Sequence, residues 1–176
     1  MWKRLLIVVL ILIGLLVLIG AFLPKRFSAS GEISIAADRT RVHALVGDLS
    51  QWDRWGPWKD GDPTLVVTLG ERTSGVGARQ SWKGDTGDGE LTFTQCDPER
   101  GIAYDLLFID GERRSPARSW LSYTPQDGAT KVVWGLEGEL DVPIVGGWMI
   151  VLMGPALDGM IQQGLTKLKQ VAESGS

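Results

Sequence analysis

The pattern of apolar and polar positions changes character at residue 26. Leu5 to Leu23, LLIVVLILIGLLVLIGAFL, holds no charged or strongly polar side chain. As a helix this run is roughly 28 Å long, close to the roughly 30 Å hydrocarbon core of a bilayer. In lipid a helix is the form that satisfies every backbone polar group within the segment. Trp2, Lys3 and Arg4 precede the run, and Pro24, Lys25 and Arg26 follow it, as interfacial anchors and a helix stop. The pattern predicts an uncleaved membrane anchor over residues 1–26. A cleaved signal peptide is the rival, but its apolar region is usually about 7–15 residues. The nearest small-residue site, Ser28-Ala29-Ser30, falls within the next predicted element. Two basic residues at each end nearly balance the orientation. The amino terminus tips the balance toward N-in, with the following domain outside the cytoplasm.

Beyond Arg26 the period becomes two. Phe27, Ala29, Gly31, Ile33 and Ile35 alternate with Ser28, Ser30, Glu32 and Ser34, which predicts a half-buried strand. Asp38 is an N-cap for a short helix carrying Val42, Leu45 and Val46, which runs out at Gly47-Asp48. Trp52, Trp55 and Trp58 then recur every three residues, one face of a helical or 3₁₀ segment that Pro57 ends. Their expected place is mainly the core, with a membrane or ligand contact as the alternative. From 62 to 140 the apolar runs are β: Leu65–Leu69, Val76–Trp82, Glu90–Cys96, Ile102–Ile109, Ala117–Thr124 and Lys131–Leu140. Turn residues separate them, so sequential strands should be antiparallel neighbours. A loop, Trp148–Met153, follows two glycines. Pro155 then opens a helix to about Ala172 with Leu157, Ile161, Leu165 and Leu168 on one face. Residues 27–176 therefore predict a single α+β domain: a curved antiparallel sheet of about seven strands around a long C-terminal helix.

Charge and composition narrow the function classes. The whole chain has net charge −3 while its first 26 residues are purely basic, so the domain is the acidic part. Without a basic stripe it is not expected to bind nucleic acid. Cys96 and His43 are each the sole residue of their type, which excludes an internal disulfide and any metal site needing two histidines or several cysteines. Gly75-Val76-Gly77 lacks a third glycine and opens a strand, and there is no GxSxG, P-loop or HExxH motif. No cofactor and no catalytic residue are predicted. His43 should be a surface or half-buried residue. Among other acids and bases, strand parity puts Asp105 and Glu90 outside and leaves Arg118 unplaced.

The same parity gathers an apolar set. Tyr104, Leu106 and Phe108 share one face of their strand, and Val132, Trp134 and Leu136 share one face of theirs, opposite Glu137 and Glu139. Val76, Ala78 and Trp82, with Leu91 and Phe93, fit the same side. Leu157, Met160, Ile161, Gly164 and Leu165 of the last helix would face them, Gly164 either admitting close approach or leaving room for a ligand. Such a set can be a filled core or an apolar pocket, and it is the predicted ligand-binding site. The six apolar residues Trp148–Met153 would either cap that pocket or dip into the membrane beside the anchor.

Ile33-Ser34-Ile35-Ala36-Ala37 before the first short helix, Gly47-Asp48-Leu49, and Trp52-x-x-Trp55-x-Pro57-Trp58 resemble the START-like superfamily. The best match within it is the polyketide cyclase/dehydrase-like (SRPBCC) group. Gly75-Val76-Gly77-Ala78 with Ser81-Trp82-Lys83-Gly84, Thr130 to Trp134, and Leu165-x-x-Leu168-Lys169 extend the resemblance over about residues 27–173. It implies a helix-grip fold with a deep hydrophobic cavity, in a group that binds, carries or reshapes apolar ligands. The expected function is a membrane-anchored module that binds an apolar small molecule or lipid. The alternatives are a cyclase- or dehydrase-like enzyme, which needs an inward-facing acid or base, and an interaction module with a filled core.

Overall fold

α1 (Trp2–Phe22) is one uninterrupted helix, and its leucines, isoleucines and valines are exposed along its whole length. It is long and apolar enough to cross a membrane. The computed structural model describes residues 2–140, 142–143 and 145–174. After Pro24 the chain passes directly into β1 (Arg26–Ile35). α2 (Arg39–Val46) follows, its first turn capped by the Asp38 carboxylate, which accepts from the Arg41 N–H at 2.8 Å. A 3₁₀ turn (Leu49–Arg54) and a single turn α3 (Trp58–Gly61) lead to β2 (Val66–Leu69) and β3 (Arg79–Lys83). β4 (Asp88–Asp97), β5 (Gly101–Asp110), β6 (Arg113–Gln126) and β7 (Ala129–Glu139) complete the strands, and α4 (Gly146–Glu173) closes the fold.

The strands form one antiparallel sheet in the order β1-β7-β6-β5-β4-β3-β2. Hairpins join neighbours from β2 to β7, and β1 pairs with β7 from Arg26↔Glu139 to Ile35↔Thr130. This alternation fixes one edge of the molecule. The starts of β1, β2, β4 and β6 and the ends of β3, β5 and β7 all lie at the end of the sheet where α1 joins it. α4 crosses the inner face over β1, where Gly31 lets it settle: a Cβ there would stand 3.0 Å from Ile161. Lys169 Nζ donates to the Ser34 carbonyl at 2.9 Å, and Glu173 accepts from the Ala36 N–H at 2.7 Å. The result is a helix gripped by a curved sheet.

Two expectations change. The stretch Trp148–Met153 is not a loop but the first turns of α4, which begins at Gly146 rather than at Pro155. Pro155 forfeits one backbone hydrogen bond inside the helix, and the residue before it is glycine, which has no Cβ to clash with the proline ring. The helix therefore passes through. The strand expected over Val76–Trp82 is confined to Arg79–Lys83, and Val76 lies exposed in the preceding turn. Gly75 and Gly77 on either side of it adopt φ of 75° and 83°, left-handed values that interrupt a strand.

Trp52 and Trp55 are core residues, 2% and 0% exposed. Their indole N–H groups donate to the Val46 and Leu45 carbonyls at 2.8 and 3.1 Å, tying the 3₁₀ turn to the end of α2. Trp52 also packs against Phe93 and Tyr104, with ring centroids 5.6 and 5.3 Å away. This aromatic block fills the half of the grip remote from α1, together with Val132, Leu165 and Leu168.

Candidate functional site: an apolar cavity beside α1

The other half is not filled. Between sheet and α4 lies a cavity of about 280 Å³. The sheet contributes Trp82 from β3, Leu91 from β4, Tyr104, Leu106 and Phe108 from β5, and Trp134 and Leu136 from β7. Leu157, Met160 and Ile161 of α4 face them, and Trp58, Leu65 and Val67 close the side. Trp82 and Phe108 meet edge-on at 5.9 Å across Gly89, the residue opposite both. A Cβ on Gly89 would stand 2.2 Å from the Trp82 ring, so only glycine lets the indole lie there. Phe108 near the end of β5 and Thr86 in the β3–β4 turn place the cavity at the α1 edge of the sheet.

Trp82, Tyr104, Leu106, Phe108, Trp134, Leu136, Leu157 and Ile161, all named from sequence, line this space. Phe93, Val132, Gly164 and Leu165 do not: they are packed core behind it. Gly164 serves close approach, since a Cβ there would stand 2.5 Å from the Trp134 ring.

Four polar side chains also reach the cavity. Ser119 accepts from Trp134 Nε1 at 2.9 Å and donates its proton to the Gly135 carbonyl at 2.8 Å. The neighbouring Tyr104 phenol is pushed up to about 12 by burial, against hydrogen bonding with Ser119 and Trp134. Asp62 accepts from the Thr64 hydroxyl and N–H and from the Thr86 N–H and hydroxyl, the last two at 2.9 and 2.8 Å. The Thr64 hydroxyl, then the Thr86 N–H, hold its carboxyl well below the usual carboxylate range. Such a carboxylate staples the α3–β2 connection to the β3–β4 turn and is a poor proton acceptor. Gln80 is different. It is 6% exposed, stands opposite Leu69 and Leu91, and its amide has no hydrogen-bond partner among the described residues. Among the described residues Trp58 Nε1 is the one fully buried polar side-chain atom without a partner, shut in against Gly56.

Gln80 is absent from the set named from sequence because it is polar, although it shares parity with Ala78 and Trp82. Val67 belongs to β2, within the run Leu65–Leu69 read from sequence as a strand, whereas Asp62, Leu65 and Thr86 arrive on connections whose packing local sequence does not show.

The acids and the base considered for chemistry lie elsewhere. Asp105 stands opposite Arg118, and Arg118 opposite Glu137, on the outer face of the sheet. They border an open outer groove of about 910 Å³ that also takes in Glu90. His43 is half-buried and lines neither space. Its Nδ1 lies 3.4 Å from the Tyr123 hydroxyl and its Nε2 3.6 Å from Cys96 Sγ. Burial lowers the His43 pKa, opposed by the charge of Asp97, and burial raises the Cys96 thiol. At neutral pH both are uncharged, the opposite of an activated thiolate pair. Among the described residues no three His, Cys, Asp or Glu side chains are grouped to hold a metal ion.

Similar architectures are known. Protein TTHA0849 from Thermus thermophilus superposes with a TM-score of 0.58 at 20% identity, covering 85% of this chain and 99% of that one. CV1439 from Chromobacterium violaceum gives 0.58 at 17%, over 83% and 96% of the two chains. The hypothetical protein jhp0584 from Helicobacter pylori gives 0.61 at 10%, over 83% and 88%. At these identities the likeness is one of fold. No curated relative matches in sequence. The family model described as polyketide cyclase / dehydrase and lipid transport matches residues 26–173, from the first residue of β1 to the last of α4. The chain belongs to the polyketide cyclase/dehydrase and lipid-transport family.

Proposed function

We propose that the protein is a membrane-anchored binding module that takes an apolar small molecule or lipid into the cavity between sheet and α4. The observation that carries this reading is the cavity itself, walled by aromatic and aliphatic side chains and set at the end of the sheet that α1 enters. Burial of apolar ligand surface drives binding, at about 25 cal/mol per Å² before ordering costs.

Residues 1–26 are the anchor in this reading and 27–176 the binding domain. A helix as apolar as α1 is not stable with its side chains in water, and a bilayer removes that cost. The first turns of α4 support the same environment. Met149, Val151, Leu152 and Met153 are exposed, and Trp148 Nε1 donates to the Leu16 carbonyl at 3.3 Å. Leu16 is seven residues before the end of the run, about 10 Å along a helix axis. Trp148–Met153 thus dips into the lipid beside the anchor rather than capping the cavity.

A cyclase- or dehydrase-like reaction has less support. Asp62 is the single acid on the cavity wall among the described residues, and four hydrogen bonds saturate it.

Native mass spectrometry of the full chain released from nanodiscs tests the proposal. A retained apolar mass near one equivalent is expected, and Leu157→Trp, which fills the cavity, should lose it while lipid held around α1 remains. A retained mass indifferent to Leu157→Trp, or none in the wild type, would refute the reading.

A further inference from the structure

We infer that the cavity selects an uncharged ligand bearing one hydrogen-bonding group, a hydroxyl or a carbonyl, that pairs with the amide of Gln80. This rests on the reading of the cavity as a binding site and goes on to name the class of molecule it takes.

Size sets the first limit. At about 280 Å³ the cavity lies at the small end of ligand pockets, which run from about 300 to 1,000 Å³. That suits one short chain or a pair of fused rings. The tails of a two-chain phospholipid exceed it.

Charge sets the second. No Lys, Arg or His side chain borders the cavity, so an anionic head would enter apolar surroundings without a counterion. A cationic head would have Asp62 as its only acid among the described residues, and the four lone-pair positions of that carboxylate are taken by Thr64 and Thr86.

Hydrogen bonding sets the third. The protons of Ser119, Trp134 and Thr86 go to the Gly135 carbonyl, the Ser119 hydroxyl and the Asp62 carboxylate, and the Tyr104 phenol is hydrogen bonded within the Ser119–Trp134 group. Gln80 is left with an acceptor oxygen and two N–H donors, nine-tenths buried, on the same face as Trp82 and Leu91. The amide faces the cavity without a protein partner, so a hydrocarbon seated there strips water from it and leaves it unsatisfied, a cost that a ligand hydroxyl or carbonyl avoids. Because the amide both donates and accepts, it reads the presence of a polar group rather than its polarity. The pairing also fixes the ligand's direction, polar group toward β3 and apolar body toward Trp134 and Ile161.

Equilibrium dialysis at pH 7 with the full chain in phosphatidylcholine nanodiscs, against empty nanodiscs of equal lipid content, tests this. The probes are 2-naphthol, naphthalene and 2-naphthoate, which share one ring system and differ in the polar group. Wild-type protein should bind 2-naphthol about tenfold more tightly than naphthalene, and 2-naphthoate more weakly than either. Gln80→Leu, close in shape, should abolish the preference, so that 2-naphthol and naphthalene bind equally. Near-UV circular dichroism of the buried tryptophans shows that the variant folded. Should the variant fail to fold, the ranking of the three probes on the wild type decides by itself. Equal wild-type affinities, tight naphthoate binding, or a naphthol preference that survives Gln80→Leu would overturn the inference and leave the binding module standing. No saturable binding of any probe would overturn both.

Discussion

Gly164→Ala sets two effects of opposite sign against each other. In an exposed helix interior the exchange gains about 1 kcal/mol of helix propensity. Here the added methyl would stand 2.5 Å from Trp134 Cζ3 and 3.1 Å from Pro57 Cδ. Trp134 cannot yield: it is 1% exposed, its Nε1 is bonded to Ser119, and Trp55 and Trp58 press edge-on with centroids 5.8 and 5.6 Å away. α4 must lift from the sheet instead, and overpacking of this kind costs about 1–3 kcal/mol. The net expectation is a loss of about 1 kcal/mol, a fall in Tm of about 2–4 °C for a chain of this size. Gly159→Ala is the internal control. It lies in the same helix, is exposed, and has nothing within 4 Å of an added Cβ, so propensity acts alone and Tm should rise. Both variants are melted as full chains in a mild detergent, followed by near-UV circular dichroism of the buried tryptophans. Equal stabilisation by the two alanines would refute the close contact between α4 and Trp134, and with it the far wall of the cavity.

The Asp62 staple makes a pH prediction. Its carboxyl is depressed in the folded state, so its contribution is present above the unfolded pKa of about 4 and is lost as pH falls below that value. The urea midpoint should decline from about pH 4 downward, and Asp62→Asn should flatten the decline; an unchanged acid limb would count against the staple. His43 makes another, higher on the scale. Its folded pKa is lowered by burial, so below about 6.5 the unfolded chain binds the extra proton and stability falls. His43→Gln should remove the pH dependence between about 6.5 and 5 in the same assay, and a wild-type midpoint flat across that window would refute the burial argument.

What the sequence determined was whatever period and composition dictate. An unbroken apolar run of nineteen residues predicts one long helix, and α1 is that helix. Alternation from Phe27 onward fixed which residues of each strand face inward, because a one-residue slip would turn Glu137 and Glu139 into the core. Turn residues between the runs fixed the hairpins, and hence the sheet order from β2 to β7. The pocket wall was legible to the same extent: Tyr104, Leu106, Phe108, Trp134 and Leu136 follow from parity alone.

Which half of that inward face is filled was decided by tertiary packing. Phe93 and Val132 have the same pattern as Leu106 and Leu136, yet Trp52 and Trp55, delivered by the 3₁₀ turn, fill the space in front of the first pair and not the second. Burial of Gln80 also depends on neighbours that local sequence does not contain. Asp62 and Thr64 are near neighbours in the chain, but Thr86 joins them only because two connections converge at the α1 edge. Pro155 misleads for the same reason. A proline is a local signal to start a helix, but whether the helix already runs through it depends on what holds the earlier turns, and Leu23 and Leu16 of the first segment lie against Gly147 and Trp148 at the helix start.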